Sequence, residues 1–168
     1  MDAEAKKTAL RMIPYGLYVL TATGKDGRMG AATINWVTQA SFAPPLLAVG
    51  VKADSGAHAL IEESGEFVVN VIAKGDNGLA FAYFKPATVE GNKIGGEVFR
   101  PGSIVTAPVL EKAAAHVECK VVEAVKKGDH SLFVAEVVEA NVAKAPTGRA
   151  DDAILWMKEL GEKVYYGG

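Results

Sequence analysis

Short hydrophobic runs recur along the chain, and most are rich in Val, Leu, Thr and aromatic residues, which are typical of strands. Where apolar and polar positions alternate, one face of the strand is expected to pack on a core. Where every position is apolar, as in residues 46–51, both faces are expected to be covered. The pattern predicts strands over residues 13–23, 30–42, 46–51, 66–72, 114–125 and 131–142.

Turn and capping residues separate these strands. The segments at residues 24–27 and 126–130 carry Gly and Asp and predict hairpin turns. Ser55 is a good N-cap for the first inserted helix. The other expected elements are a helix over residues 55–65, a short helix over 75–84, loops and short strands over the Gly- and Pro-rich residues 88–108, and a short helix or strand over 152–160.

The expected helices do not alternate regularly with the strands, which argues against a doubly wound parallel sheet. We therefore predict an all-β protein with a few short inserted helices. A closed or nearly closed antiparallel barrel fits this pattern, because closure removes exposed strand edges. The length of 168 residues fits one domain of ordinary size, and no repeat or linker divides residues 1–168.

Composition narrows the classes of function. Apolar residues make up 49% of the chain, and the net charge of −2 gives no electrostatic basis for binding nucleic acid or an anionic membrane. No apolar run is long enough to span a bilayer, and the first ten residues lack the apolar segment of a signal peptide. The single cysteine, Cys119, excludes an internal disulfide and a cysteine-based zinc or iron–sulfur site. We expect a cytoplasmic protein.

The second predicted strand is dense in neutral hydrogen-bonding side chains and ends at Pro44-Pro45, which cannot donate to a sheet. Uncharged donors and acceptors in a row suit a flat ligand with polar edges better than a metal ion or a phosphodiester chain. The candidate binding residues of this segment are Asn35, Trp36, Val37, Thr38, Gln39, Ala40 and Ser41.

The start of the helix at Ser55 is a second candidate site. A helix N-terminus offers free N–H groups and a dipole that favours an anion. Lys52, Ser55, Gly56 and His58 could therefore receive a phosphate group. Read alone, this segment is better explained as an ordinary capped helix beside a solvated lysine. Its connection to the polar segment through one strand favours the phosphate interpretation.

The histidines do not form a metal site in the sequence. His58 pairs with Glu62 and His116 pairs with Glu118, but metal sites usually need three or four ligands, so no metal is expected.

Two potentially reactive side chains remain. His130 follows Gly128-Asp129 at a predicted turn, where a side chain can be presented rigidly to a pocket. The alternative is that Asp129 and His130 only form the turn. Cys119 lies on the apolar side of an alternating strand and is expected to be a buried small hydrophobe rather than a nucleophile.

Four segments of the chain resemble the flavin reductase-like family, whose members bind FMN in a split β-barrel, a Greek-key antiparallel barrel. These segments are residues 16–21, 35–45, 64–71 and 128–137. Many relatives have a small residue where this chain has Trp36 and a serine where it has Gln39. The ending Tyr166-Gly167-Gly168 resembles the flavin reductase module fused to some flavodiiron proteins.

The resemblance implies a homodimer with FMN, or FAD in its place, near the subunit interface. It implies that residues 35–41 line the isoalloxazine ring and the ribityl chain, and that Lys52, Ser55 and His58 hold the phosphate. His130, the candidate catalytic residue, would lie near the flavin and near the nicotinamide of NADH or NADPH.

The function expected from these observations is NAD(P)H-dependent reduction of bound FMN, with electrons passed to free flavin, a ferric complex or a partner protein. The alternative is an FMN-binding electron carrier that does not use NAD(P)H itself, because the sequence contains no recognisable dinucleotide-binding motif. A dimer that has lost its ligand is a third possibility, against which the intact polar segment argues.

Overall fold

Strands are the main regular structure of the computed structural model, which describes residues 1–167. The elements are α1 (Ala3–Arg11), β1 (Tyr18–Thr23), β2 (Met29–Ile34), β3 (Val37–Ser41), β4 (Leu46–Lys52), α2 (Gly56–Ser64), β5 (Glu66–Val71), α3 (Asn77–Ala82), β6 (Val89–Glu90), β7 (Lys93–Ile94), β8 (Glu97–Pro101), β9 (Pro108–Leu110), β10 (Ala115–Lys126) and β11 (His130–Val142). Two turns of 3₁₀ helix, Ala150–Asp152 and Met157–Leu160, follow β11. Gly168, the last residue of the ending compared with flavodiiron proteins, lies outside the described residues.

Seven strands form one antiparallel sheet in the order β2-β1-β5-β10-β11-β4-β3, and β6 to β9 form a smaller sheet. The hairpins predicted at residues 24–27 and 126–130 join β1 to β2 and β10 to β11. The predicted all-β class is confirmed.

The large sheet is curled into a barrel that is open between β2 and β3. These strands are consecutive in the chain but lie at opposite edges of the sheet. The edges of a flat seven-stranded sheet would be about 29 Å apart, whereas the three Cα steps from Ile34 to Val37 span at most about 11 Å. The edges must therefore approach each other, and we call the junction at Asn35-Trp36 the seam.

The seam corrects the prediction of one long strand over residues 30–42. β2 pairs with β1, whereas β3 pairs with β4, so the chain changes edges at the seam. The alternation of polar and apolar residues is interrupted at Trp36-Val37, but one such irregularity does not distinguish a change of partner strand from a bulge in a continuous strand.

The two larger of three clusters of buried side chains within residues 1–167 supply most of the core. One packs α2 against the large sheet and includes Leu20, Val49, Ile61, Phe67 and Phe133. The other packs α3 and the smaller sheet against the opposite side and includes Leu17, Ile72, Leu79, Ile94 and Leu155. Burial of a side chain of this size stabilises a fold by about 1.5–3 kcal/mol.

The helix α2 begins and ends as predicted. The Ser55 hydroxyl accepts a hydrogen bond from the His58 N–H at 3.2 Å, and the Gly65 N–H donates to the Ile61 carbonyl at 2.8 Å. Gly65 has φ of 72°, a left-handed conformation that glycine adopts without a steric penalty. Because β4 leads directly into Ser55, the helix start is fixed beside the end of that strand.

Several boundaries differ from the predictions. The first strand begins at Tyr18 rather than at residue 13, because Pro14 has no N–H to donate and only Gly16 makes a bridge, to Trp156. The helix predicted over 75–84 is the shorter α3. Residues 88–108 contain the short strands β6 to β8, as expected for a segment rich in Gly and Pro.

The loop at residues 102–107 is fixed to the large sheet by a buried carboxylate. The two oxygens of Glu118, in β10, accept hydrogen bonds from the Ser103, Ile104 and Val105 N–H groups and from the Ser103 hydroxyl, at 2.7–2.9 Å. The side of β10 that carries polar residues in the sequence is thus also covered at His116 and Glu118, whereas Lys120 and Val122 further along it are exposed.

No helix within residues 1–167 is both long and apolar enough to cross a membrane.

Candidate functional site

A cavity of about 470 Å³ lies beside the seam, and we call it the seam cavity. Its walls come from the ends of β2 and β4, the start of β11, Tyr83-Phe84 after α3, and residues 164–166. Four of the residues predicted from the sequence line it together: Asn35, Lys52, Ser55 and His130. The barrel therefore joins the polar segment, the helix start and the Gly-Asp-His turn in one place.

Strand pairing explains why these residues meet. Lys52 and His130 are opposite each other in the register of β4 and β11. The Ala53 N–H donates to the Asp129 carbonyl at 2.9 Å, which holds the start of α2 against the turn. The sheet thus fixes the distance between the proposed phosphate site and His130.

His130 is held by groups on both of its ring nitrogens. Nδ1 lies 2.9 Å from the Asp129 carboxylate, and Nε2 lies 2.8 Å from the Tyr166 hydroxyl. The hydrogen bond to His130 lowers the pKa of Asp129, so this carboxylate can only accept and Nδ1 must donate. In neutral His130, Nε2 therefore accepts from Tyr166, whose pKa is raised by burial.

Trp36 packs against this histidine from the seam. The Trp36 and His130 ring centroids are 4.5 Å apart, and the Tyr166 ring lies 5.6 Å from Trp36. Gly50 makes room for the indole, because a Cβ on Gly50 would come within 3.0 Å of its ring. The Trp36 Nε1–H is buried and has no hydrogen-bond partner within residues 1–167.

The helix start presents the Ser55 hydroxyl and the Lys52 ammonium to the seam cavity. Ser55 caps α2 and lines the wall, while the Lys52 ammonium lies 3.0 Å from the Asp54 carboxylate. Its hydrogen bond to Asp54 raises the pKa of Lys52, which remains charged. An incoming phosphate would compete with Asp54 for this exposed lysine.

Gly56 and His58 do not line the seam cavity. Gly56 lies in an adjacent cavity of about 650 Å³, which shares the walls formed by Ser55 and Phe84. The His58 side chain is buried, with Nε2 at 2.8 Å from the Ser131 hydroxyl and its ring 5.2 Å from Phe133. The structure therefore does not bring the His58 imidazole to the helix start, and a phosphate contact through that side chain has no geometric support.

The residues of β3 are also outside the seam cavity of a single chain. Thr38, Gln39 and Ala40 are exposed on this edge strand, and Val37 and Ser41 are half-buried. Of the polar segment, only Asn35 lines the cavity, and Trp36 lies behind it. The flavin contacts predicted for residues 37–41 stay a prediction.

Two residues of the candidate site, Asp129 and Tyr166, were not predicted from the sequence. Asp129 was considered only as a turn former, although its position next to His130 allows the hydrogen bond to Nδ1. Tyr166 contacts His130 across 36 positions and has no local signal beyond being one of two adjacent tyrosines. Within the described residues, no three His, Cys, Asp or Glu side chains are grouped as metal ligands.

Comparison with known proteins agrees with this architecture. Residues 10–160 match the model of the flavin reductase like domain. The chain is 33% identical over 147 residues to a ferric-chelate reductase (NAD(P)H) of Archaeoglobus fulgidus, covering 86% of this chain and 83% of the relative. It is 32% identical over 139 residues to a flavin reductase (NADH) of Kitasatospora aureofaciens, covering 82% and 71%. The chain belongs to the flavin reductase-like domain family.

Other relatives extend the comparison. A diflavin flavoprotein of Synechocystis is 31% identical over 145 residues, and the match covers 86% of this chain but only 25% of that relative. Among solved structures, the NADH:FAD oxidoreductase SgcE6 of Streptomyces globisporus, in complex with NAD and FAD fragments, is similar with a TM-score of 0.66 and 26% identity, covering 77% of this chain and 76% of that one. The split-barrel fold implied by the sequence is confirmed.

Proposed function

We propose that this protein is a flavin reductase, which uses NADH or NADPH to reduce FMN held in the seam cavity. Electrons would then pass to free flavin, a ferric complex or a partner protein. The observation that carries the proposal is the single cavity lined by Asn35, Lys52, Ser55 and His130. Relatives described as NADH and NAD(P)H reductases support the nicotinamide as electron donor.

The residues present fit a flavin mononucleotide. A volume of about 470 Å³ is in the range of small-molecule sites, and much of the wall is apolar or aromatic. The Asn35 amide can satisfy a polar ring edge without placing a charge beside it. Lys52 and the start of α2 offer a cation and a positive dipole end to a phosphate. FAD is the alternative ligand, and SgcE6, bound to FAD fragments, supports it.

When bound, a flavin supplies the capacity to accept a hydride and to release its electrons onward. The residues that line the seam cavity would bind and orient the ring. His130 would act as the catalytic residue by contacting the nicotinamide or the flavin edge. The Asp129 hydrogen bond holds its ring in one tautomer, so the atom presented to the ligand is Nε2.

We further propose a homodimer in the cytoplasm. Phe42, directly after β3, is 93% exposed, and Thr38 and Gln39 in β3 are also exposed. A second chain would cover this edge and could bring residues 37–41 to a flavin near the interface. Light scattering coupled to size-exclusion chromatography tests this, and a monomer at micromolar concentration would contradict it.

The primary test is spectroscopic. Purified protein reconstituted with FMN should show flavin absorbance after gel filtration, and FMN at about a hundredfold excess over Kd should add about 2.7 kcal/mol to the free energy of unfolding. Anaerobic NADH or NADPH should then bleach the flavin. A protein that neither retains FMN nor is stabilised by it does not have the proposed function.

The electron carrier is the second candidate, favoured by the diflavin flavoprotein, in which the matching segment is one quarter of a larger chain. Flavin that is bleached by dithionite but not by either nicotinamide would support the carrier over the reductase.

A further inference from the structure

A strap formed by residues 164–167 crosses the seam cavity without helix or strand structure. Tyr166 makes the main contacts between the strap and the seam cavity. The Tyr166 hydroxyl lies 2.8 Å from His130 Nε2, its carbonyl accepts from Asn35 Nδ2 at 3.2 Å, and its ring packs on Trp36. Tyr166 thus contacts His130, Asn35 and Trp36 at the seam.

These are groups that the proposed ligand would need. A phenol ring with a polar edge, beside a carbonyl acceptor, has the chemistry of a flat aromatic ligand with hydrogen-bonding groups at its rim. His130 Nε2 has one lone pair and cannot accept from Tyr166 and from such a ligand at once, while Asn35 Nδ2 gives one of its two N–H donors to the strap. The strap therefore lies where it competes with a ligand.

The closed strap leaves one polar group unsatisfied. Gly167 lies over the indole of Trp36, where a Cβ on Gly167 would be 3.3 Å from the ring, and the buried Nε1–H finds no acceptor in the described chain. Moving the strap away would open this donor to water or to a ligand acceptor.

The strap is also weakly held. About half of the Tyr165 and Tyr166 surface is exposed, and the Arg11 Nε–H donates to the Gly167 carbonyl at 3.4 Å, a long hydrogen bond. The Arg11 guanidinium lies 4.4 Å from the Tyr165 ring centroid in an exposed cation–π contact. Segments with few buried contacts open locally at low cost.

We infer that the strap is a displaceable self-ligand, with Tyr166 occupying the polar groups of the seam cavity until a flat aromatic ligand replaces it. The identity of that ligand, the flavin ring or the nicotinamide ring, rests on the proposed function. The apparent affinity of such a ligand is lowered by the fraction of molecules whose strap is closed.

The first experiment needs no ligand. In a Trp156→Phe background Trp36 is the only tryptophan, and its quenching by acrylamide reports whether the strap covers it. Tyr166→Phe removes the hydroxyl that bonds to His130, whereas Tyr165→Phe removes a matched hydroxyl from the neighbouring residue. Gly167→Ala adds a methyl group against Trp36 at a φ of 109°, which disfavours alanine. We expect more quenching in Tyr166→Phe and Gly167→Ala and no change in Tyr165→Phe.

The second experiment measures dissociation constants for FMN and for NAD⁺ separately, by calorimetry. If the strap is closed in about nine molecules out of ten, variants that open it should bind the competing ligand about tenfold more tightly. The ligand whose affinity rises in Tyr166→Phe and Gly167→Ala, but not in Tyr165→Phe, is the one that displaces the strap.

Two results would overturn the inference: Trp36 quenching that is the same in all variants, or affinities for both ligands that are unchanged or weaker in Tyr166→Phe and Gly167→Ala. A protein that binds neither ligand in any form would refute the proposed function instead. The strap would then be judged by the quenching alone, where increased exposure of Trp36 in the two opening variants supports it.

Discussion

Replacing Glu118 by glutamine should destabilise the fold at neutral pH, because this carboxylate has no exposed surface and holds the loop at residues 102–107. Burial disfavours its charged form and is the largest single influence on its pKa. The N–H groups of Ser103, Val105 and Ile104 and the Ser103 hydroxyl together outweigh burial and lower the pKa of Glu118 to about 2. The fold therefore stabilises the ionised carboxylate.

The size of the effect follows from linkage. The pKa of Glu118 falls from 4.5 to about 2 on folding, and at 1.36 kcal/mol per pH unit the ionised group contributes about 3 kcal/mol to the free energy of unfolding. Because the folded-state pKa is the lower one, this contribution is complete above about pH 4.5 and is lost as the pH falls towards 2. In Glu118→Gln, an NH₂ group replaces one acceptor oxygen and leaves buried N–H donors unpaired, at about 1–3 kcal/mol each.

The assay is urea unfolding of the wild type and of Glu118→Gln from about pH 7 to about pH 3. The difference in free energy of unfolding should be about 3 kcal/mol at neutral pH and should shrink by about 1.4 kcal/mol per pH unit below pH 4.5. Glu123→Gln, an exposed change in the same strand, should stay within about 0.5 kcal/mol throughout. A neutral-pH difference no larger than that of Glu123→Gln would refute this account, as would a difference independent of pH.

Three further changes test the candidate site. Lys52→Ala should weaken FMN binding by about tenfold to a hundredfold and leave riboflavin binding nearly unchanged, because a charge-assisted contact to phosphate contributes about 1.5–3 kcal/mol. The exposed Lys25→Ala is the control in the same fluorescence titration. Equal losses of affinity for both ligands would remove the phosphate assignment. His130→Ala should slow flavin reduction by NADH about tenfold or more in stopped-flow measurements and weaken FMN binding less; a wild-type rate would show that the role is wrong. Gly50→Ala should cost about 1–3 kcal/mol in thermal unfolding, since its methyl group would displace Trp36, and an unchanged melting temperature would show that Trp36 is free to move.

Local chemistry accounts for what the sequence predicted well. Ser55 and Gly65 fix the ends of α2 through hydrogen bonds within a few residues, so their signals can be read directly from the chain. The turn at residues 126–130 is equally local, and it places His130 at the start of β11. These local signals are why Ser55 and His130 could be predicted as site residues from the sequence.

The features that the sequence did not predict depend on contacts between residues far apart in the chain. Ile34 ends β2 and Val37 begins β3, and the break in alternation at Trp36-Val37 does not reveal that the chain changes sheet edges. The buried His58 side chain is hydrogen-bonded to Ser131, which lies 73 positions further along the chain. Tyr166 reaches His130 only because the strap folds back over the barrel.

The seam has a consequence for the order in which the protein is assembled. The β1–β2 and β10–β11 hairpins can form from neighbouring residues, but Lys52 meets His130 beside the seam only across 78 positions, through the pairing of β4 with β11. Since long-range contacts of this kind form late and slowly, ligand recognition belongs to the finished barrel and to no partly folded intermediate. If the protein binds FMN as proposed, loss of the flavin and loss of the native circular dichroism should consequently follow one cooperative transition.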